Sequence, residues 1–289
     1  RHLLTHTAGF GYQNAGDHMA ELYLQHGLAP GTRNWGPAQG QLPPAATLEE
    51  FAERLAPLPL ATDPGSRFEY SLAIDLLGLV IQRVSGIPFE TFLQQRIFQP
   101  LGMADTGFQV PENQLHRFTS LAEQGEQDWQ LVDDPQHSVY SKPALPSGGG
   151  GLVSTARDYA RFAAALMNDG EFDGVRLLQP ETARLARSNL LPEGVDHIEL
   201  PLGYTWPNMG FGAAMSVQTG DGEAPKGVFG WPGAAGTACW IDPARRFFLL
   251  FLVQYWPPHI NIDMRPRMIA QAYKDLVGSE TELSTSPGA

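Results

Sequence analysis

Cysteine, lysine and long apolar runs are scarce in this sequence, and each scarcity excludes a class of protein. The single cysteine, Cys239, rules out an intrachain disulfide framework and a cysteine-rich metal site. It lies in the run Thr-Ala-Cys-Trp-Ile, which predicts a buried strand residue. No apolar run reaches the ~18 residues that a membrane-spanning helix needs. The longest candidate, residues 247–253, has the length of a strand, so no membrane span is predicted.

Basic residues are also few, because 19 lysines and arginines stand against 31 acidic residues, giving a formal net charge of −12. Such a surface repels a phosphate backbone, so nucleic acid is not an expected partner. A content of 43% hydrophobic and 17% charged residues over 289 residues is typical of a globular chain with a sizeable core. Composition leaves the oligomeric state and the cellular compartment open.

Three patterns that carry chemistry in other proteins are present only in part. His2 and His6 are four residues apart and would share one face of a helix, but leucine replaces the glutamate of a zinc-binding H-E-x-x-H motif. We therefore expect no metal site and a structural, hydrogen-bonding role for these histidines. The four glycines at 148–151 lack the Gly-Lys-Ser/Thr of a phosphate-binding loop. Ser147 lacks the preceding glycine of a G-x-S-x-G nucleophile elbow.

Helix and loop signals dominate the first half of the chain. Thr47-Leu-Glu-Glu50 is a capping box that predicts a short helix ending before Pro57. The run from Leu72 to Val84 is apolar on most sides, which predicts a buried helix ended by Gly86. A further helix is expected from about Phe89 to near Pro100. We therefore predict a mainly helical and loop lobe over residues 1–150.

Strand signals appear after residue 150. Ser154 or Thr155 is expected to cap an amphipathic helix that runs through Met167, and Pro180 to start another. The segments 236–241 and 247–253 predict a β-hairpin, followed by a closing helix over about 263–277. Strands followed by a helix indicate an antiparallel sheet covered by helices. The expected fold class is α+β, as one domain over 1–289, with a sheet-and-helix lobe at 151–278 and a polar tail at 279–289.

Five short segments follow one another in a set order. They are Arg1-His-Leu-Leu-Thr-His-Thr-Ala-Gly9, Pro64-Gly65, Phe68-Glu-Tyr-Ser71 with Leu76-Leu-Gly78, Pro100-Leu-Gly-Met103 and Ser147-Gly-Gly-Gly-Gly-Leu-Val-Ser-Thr-Ala-Arg-Asp158. Together they resemble the LLTHTSG, PG…YSN…LG, PLGM and GGLxSTxxD segments of the β-lactamase-like serine hydrolases. The likeness continues through the glycine-rich segment 230–236 and covers nearly the whole chain. It implies a β-lactamase/transpeptidase-like fold, with an antiparallel sheet flanked by helices beside a mostly helical lobe, and no cofactor.

The nucleophile motif of that family, Ser-x-x-Lys, is missing from these residues. The three lysines are Lys142, Lys226 and Lys274, and the residues three positions before them are valine, glutamate and glutamine. The family places Ser-x-x-Lys upstream of the segment that here begins at Arg1. We therefore expect the chain to be truncated at its N-terminus, with the nucleophilic serine and its lysine preceding Arg1, and the 289 residues alone to be inactive.

The resemblance assigns roles to residues that are present. Tyr70 matches the tyrosine of Tyr-x-Asn and is the expected catalytic residue, which helps the lysine to take the serine proton. An ordinary tyrosine has a pKa of ~10, so this role needs a nearby cation. Ala234 is expected to donate its N–H to the oxyanion hole, and Asp75 to support Tyr70 from one helical turn behind it. The expected substrate-binding residues are Trp231, Gly233, Tyr12, Tyr140 and Ser147.

Two departures from the family pattern bear on the substrate. Leu72 replaces the asparagine of Tyr-x-Asn, and Trp231-Pro-Gly233 replaces Lys-Thr-Gly, so the groups that hold a β-lactam are absent. Tryptophan at this place resembles the family VIII carboxylesterases and related acyltransferases. We therefore predict a carboxylesterase-like serine hydrolase that cleaves small, short-chain acyl esters through an acyl-enzyme. The alternatives are a β-lactamase, a D-amino-acid peptidase or an acyltransferase of the same fold, or a non-catalytic binding module that lost the serine.

Overall fold

The computed structural model describes residues 1–12, 18–29, 40–200, 204–206, 208–220, 222, 224–256 and 260–276. The architecture that follows is that of these residues. The polar tail expected at 279–289 lies outside them. Helices and antiparallel strands mix along the described chain, which confirms the predicted α+β class.

The helices begin and end close to the positions that the capping signals predict. They are α1 (His18–Gln25), α2 (Leu48–Leu55), α3 (Ala73–Ser85), α4 (Phe89–Leu93), α5 (Gln99–Leu101), α6 (Ala156–Met167), α7 (Pro180–Ala186) and α8 (Ile260–Leu276), with a π-helical turn, Gln94–Phe98, between α4 and α5 and a 3₁₀ turn at Glu112–Arg117. The Thr47 hydroxyl accepts a hydrogen bond from the Glu50 N–H at 3.1 Å, as a capping box requires. Thr155 caps α6 in the same way, and Gly86 ends α3 in the left-handed conformation.

Helix α3 is less buried than its composition predicts. Its buried residues are Ala73, in the first turn, and Asp75, Gly78 and Leu79, which share one face of the helix. Val80 is 41% exposed and Val84 is 84% exposed in the described structure. The prediction of a helix buried on most sides is therefore wrong. Apolar content alone does not say which face of a helix packs, and here the polar Asp75 lies on the buried side.

The strands of the described chain are β1 (Leu121–Gln124), β2 (Trp129–Asp133), β3 (Glu171–Phe172), β4 (Val175–Arg176), β5 (Ile198–Leu200), β6 (Tyr204–Trp206), β7 (Met209–Phe211), β8 (Ser216–Gln218), β9 (Phe229–Pro232), β10 (Thr237–Asp242), β11 (Phe247–Leu252) and β12 (Tyr255–Trp256). The main sheet is antiparallel and has five of them, in the order β11-β10-β9-β8-β7. Strands β10 and β11 pair from Thr237↔Leu252 to Asp242↔Phe247, which confirms the predicted hairpin.

A second, three-stranded sheet joins distant parts of the sequence. Strand β1 pairs antiparallel with β2 and parallel with β12, with Ala122 opposite Tyr255. The Tyr255 N–H also donates to the Ala235 carbonyl at 2.9 Å. This sheet therefore connects the segment around residue 122 to the turn that follows β9.

Apolar clusters fill the space between these elements. One lies among α2, α3 and α4, and another on the main sheet around Phe211, Trp231 and Trp240. Helix α6 covers the sheet through Ala163, which belongs to a third cluster with Cys239. Cys239 is buried in β10, as predicted. In the described part of the chain no single helix is long and apolar enough to cross a membrane, although α3 taken with Phe89–Leu101, bent by 77°, passes that test.

Candidate active site

Tyr70 lies at the centre of an aromatic cluster that joins three parts of the chain. It occupies the extended segment just before α3. Its ring is 5.5 Å from that of Trp231 in a stacked arrangement, 5.0 Å from that of Tyr12 and 4.6 Å from that of His6. The structure thus brings together three residues that the sequence analysis singled out, Tyr70, Trp231 and Tyr12, and adds His6.

The surroundings of Tyr70 favour a protonated phenol. Burial raises the pKa of Tyr70 above its ordinary value, a hydrogen bond from the Trp231 side chain partly offsets this, and the negative charge of Asp75 raises it further. Among the described residues no cation contributes to this pKa. A buried phenol becomes a base near neutral pH only when a cation stands beside it. Proton abstraction by Tyr70 therefore requires a positive charge in addition to these surroundings.

Asp75 holds the glycine loop, which is the segment 147–151. The Ser147 hydroxyl and the Gly149 N–H both donate to the Asp75 carboxylate, the latter at 3.1 Å. Burial raises the pKa of Asp75, and these two hydrogen bonds oppose the rise. Ser147, the first residue of the loop, is buried, and its side chain lies against Asp75. Its predicted part in substrate binding remains a prediction.

The segment Trp231-Pro-Gly233 ends β9 and begins the turn to β10. The Gly233 N–H donates to the Thr237 carbonyl at 2.6 Å, and the Gly236 N–H donates to the Gly233 carbonyl at 3.1 Å. Ala234 is exposed at the tip of this turn, three residues after Trp231. A Cβ atom at Gly233 would lie 2.2 Å from the Thr237 hydroxyl, so the turn favours glycine there. An exposed backbone at this place is what a donor to a substrate oxyanion needs.

Tyr140 contacts the glycine loop. Its hydroxyl donates to the Gly150 carbonyl at 3.0 Å, and its ring lies 6.1 Å from that of Phe118. The structure therefore separates the expected binding residues into two groups. Tyr12 lies against Tyr70 itself, whereas Tyr140 and Ser147 lie at the glycine loop.

His6 has the structural, hydrogen-bonding role that was expected of it, whereas its contact with Tyr70 was not predicted. It has a φ of 51°, so His2 and His6 do not share a helix face as their spacing suggested. The His6 Nδ1 atom bonds Ser71, whereas the His2 Nδ1 atom lies 2.9 Å from the Thr7 hydroxyl. No group of three or more histidine, cysteine, aspartate or glutamate side chains within the described ranges is arranged to hold a metal ion. The only sequence signal for His6 was its place two residues after a run of leucines in a family-like segment.

The fold and the cluster around Tyr70 together define a class of protein. The described chain combines an antiparallel sheet, a half-buried tyrosine before a helix and a glycine-containing turn at the end of a central strand, as expected for the β-lactamase/transpeptidase-like fold. Comparison with known proteins places the chain within it. The Beta-lactamase family model matches residues 1–274, and the chain belongs to this family of serine hydrolases and acyltransferases.

Similar proteins agree with this assignment. Protein Rv1367c of Mycobacterium tuberculosis is 37% identical over 251 residues, which cover 83% of this chain and 63% of that protein. Esterase EstB of Burkholderia gladioli is 30% identical over 275 residues, covering 87% of this chain and 63% of EstB. The solved structure of EstCE1, described as a hydrolase with promiscuous acyltransferase activity, superimposes with a TM-score of 0.70 at 27% identity, covering 88% and 66% of the two chains. The chain spans about 63% of the length of these curated relatives.

Proposed function

We propose that the protein is a serine hydrolase that cleaves short-chain carboxylic esters through an acyl-enzyme. The observation that carries the proposal is the contact of Tyr70 with Trp231, three residues before the exposed Ala234. The contact supports a site in which Tyr70 supplies a phenol, Trp231 an aromatic wall and the exposed Ala234 a backbone N–H. The similarity to an esterase and to a hydrolase with acyltransferase activity supports the same chemistry.

The proposed reaction needs a serine and a lysine from outside residues 1–289, because these residues contain no Ser-x-x-Lys. The serine hydroxyl attacks the ester carbonyl while Tyr70, made basic by the lysine, takes its proton. The Ala234 N–H stabilises the negative oxygen that develops on the carbonyl. Tyr70 then passes the proton to the departing alcohol, and water releases the acyl group by the reverse route. No cofactor takes part in this scheme.

An ester fits this site better than a β-lactam. The family position that carries an asparagine amide holds Leu72, which is 0% exposed and belongs to the helical core. No amide group is therefore available there to bind the side chain of a penicillin. The strand position that carries lysine in the family pattern Lys-Thr-Gly holds Trp231, whose ring packs on Tyr70. Its apolar face suits the small acyl or alkyl part of an ester.

The test compares substrates and one substitution in the full-length protein. Hydrolysis of nitrophenyl acetate should exceed hydrolysis of a cephalosporin, and Tyr70→Phe should lower kcat by about 10²–10⁴-fold while the fold is kept, because that is the usual worth of a general base. Tyr159→Phe, which removes a hydroxyl from a tyrosine packed against Phe162 on α6, is the matched control. A Tyr70→Phe variant within threefold of the wild type would exclude Tyr70 from the mechanism.

Acyl transfer is the second candidate, favoured by the similarity to EstCE1, a hydrolase with promiscuous acyltransferase activity. The two reactions share the acyl-enzyme and differ in the group that releases it, water or an alcohol. Product analysis with an added alcohol acceptor separates them. A new ester as the main product would assign the protein to the acyltransferases.

A further inference from the structure

His6 bonds the residues on both sides of Tyr70, one through its backbone and the other through its side chain. The His6 carbonyl accepts a hydrogen bond from the Glu69 N–H at 2.8 Å. The His6 Nδ1 atom accepts one from the Ser71 N–H at 3.1 Å. These two donors belong to the residues immediately before and after Tyr70. One residue therefore fixes the main chain on both sides of the phenol.

The side chain of His6 also supports the Tyr70 ring directly. The two ring centroids are 4.6 Å apart with an interplanar angle of 44°. The imidazole centroid also lies 5.7 Å from that of the Phe68 ring and 5.4 Å from that of the Phe211 ring. His6 is only 3% exposed. A ring enclosed in this way has little freedom to move, so it restricts the orientations open to Tyr70.

The hydrogen bonds determine which nitrogen of His6 carries the proton. A backbone N–H only donates, so the Nδ1 atom that receives the Ser71 N–H is an acceptor. The neutral ring therefore carries its proton on Nε2. Burial lowers the pKa of His6 to about 3, so the ring stays uncharged over the pH range in which hydrolases work.

The backbone at His6 is held in a conformation that most residues avoid. Its φ of 51° lies in the left-handed region, which costs a residue other than glycine some stability. Two hydrogen bonds fix the backbone on either side of His6. The Ala214 N–H donates to the Leu4 carbonyl at 2.9 Å, and the Gly65 N–H donates to the Thr7 carbonyl at 2.7 Å. The fold thus maintains an unfavourable conformation whose result is the placement of the imidazole beneath Tyr70.

We propose that His6 is a positioning residue for Tyr70, which holds residues 69 and 71 and supports the phenol ring so that its hydroxyl is aimed at the reacting atoms. This inference rests on the proposed function, because it gives His6 a part in the proton transfer by Tyr70. His6 touches no substrate in this account. It acts through Tyr70 alone, and that property makes the inference testable.

The experiment measures nitrophenyl acetate hydrolysis by the full-length protein in two backgrounds, wild type and Tyr70→Phe. In the wild type, His6→Ala should lower kcat about 10- to 100-fold with KM within threefold, because a small misplacement of a reacting group costs rate rather than binding. His6→Asn should restore most of kcat, because asparagine supplies an acceptor oxygen and tolerates positive φ. In the Tyr70→Phe background both substitutions should change kcat less than twofold, because the group that His6 positions is gone.

The outcomes separate this inference from the proposed function. If Tyr70→Phe leaves turnover within threefold of the wild type, the proposed function itself is wrong. If Tyr70→Phe lowers turnover but His6→Ala lowers kcat equally in both backgrounds, only the positioning role is wrong. His2→Asn is the matched control, since the His2 side chain bonds Thr7, and it should behave as the wild type.

A measurement without any substitution guards against variants that fail to fold. Nitrogen NMR of the full-length protein labelled in its histidines should show one buried ring with an unprotonated Nδ1 and a protonated Nε2 between pH 5 and pH 8. A His6 ring that carries two protons at pH 6, or one proton on Nδ1, would overturn the inference.

Discussion

The rings of Tyr70 and Trp231 lie nearly parallel, with centroids 5.5 Å apart and an interplanar angle of 21°. The Trp231 side chain also donates a hydrogen bond that lowers the pKa of Tyr70. Tryptophan therefore acts on the phenol in two ways, as a packing surface and as a donor. Phenylalanine supplies only the first of these, which allows the two effects to be separated.

Trp231→Phe in the full-length protein should move the acid-side midpoint of the kcat profile to higher pH. The loss of one donor to the ionised phenol is worth about 1.5 kcal/mol, or about one pH unit. The measurement is kcat for nitrophenyl acetate between pH 5 and pH 10. Trp129→Phe is the control, because Trp129 is exposed and its ring packs on Tyr255. A midpoint that stays in place or moves to lower pH would show that Trp231 does not act on Tyr70 as a donor.

The glycine loop offers a matched pair of substitutions. A Cβ at Gly148 would lie 2.5 Å from the Ile74 carbonyl at the start of α3, whereas a Cβ at Gly150 meets nothing within 4 Å. Gly148→Ala should lower the free energy of unfolding by about 1–3 kcal/mol through overpacking, and Gly150→Ala by much less. Urea unfolding of the two variants checks this. Equal effects at the two positions would mean that the loop does not pack on α3 as described.

Asp75 allows the charge and the hydrogen bonds of one side chain to be tested apart. Asp75→Asn keeps an oxygen that can accept from Ser147 and Gly149, and it removes a buried charge. It should therefore leave the unfolding free energy unchanged or higher at pH 7. Asp75→Ala leaves both donors unsatisfied and should lower the unfolding free energy by about 2–4 kcal/mol. If asparagine were as destabilising as alanine, the ionised carboxylate itself would be required.

Acid should destabilise the fold through His6. Its pKa falls from 6.5 to about 3 on folding, so the unfolded chain binds a proton before the folded one does. The stability that depends on the neutral ring is complete above pH 6.5 and is lost as pH falls toward 3, at a slope approaching about 1.4 kcal/mol per pH unit. Urea unfolding between pH 7 and pH 4.5 measures this slope. The His6→Asn variant should show a shallower slope, and an identical slope in both proteins would contradict the assignment.

Local signals predicted the helix ends and the hairpin because their causes are local. Thr47 and Thr155 cap helices through bonds within three residues, and Gly86 ends α3 for a conformational reason. The helix caps were predictable because the chemistry of the capping residue itself determines the local conformation. The family resemblance assigned Tyr70 and Trp231 to one site, as catalytic and substrate-binding residues, and no local signal predicts their contact.

The features that were not predicted depend on contacts between distant segments. Nothing near residue 122 indicates that β1 pairs with β12, more than 130 positions later. The exposed face of α3 was missed because composition does not say where a partner lies. His6 was assigned a general structural role, because its bonds to residues 69 and 71 appear only when the chain returns to it after sixty residues.

The nucleophilic serine can be identified by its reaction with a covalent probe. The full-length protein is treated with a fluorophosphonate probe, digested and examined by mass spectrometry, with the Tyr70→Phe variant treated in parallel. We expect one modified serine, outside residues 1–289 and followed three positions later by a lysine, and we expect it to be labelled more slowly in Tyr70→Phe. Labelling of a serine within residues 1–289, such as Ser71 or Ser147, would contradict the proposed mechanism and the role of Tyr70 in it.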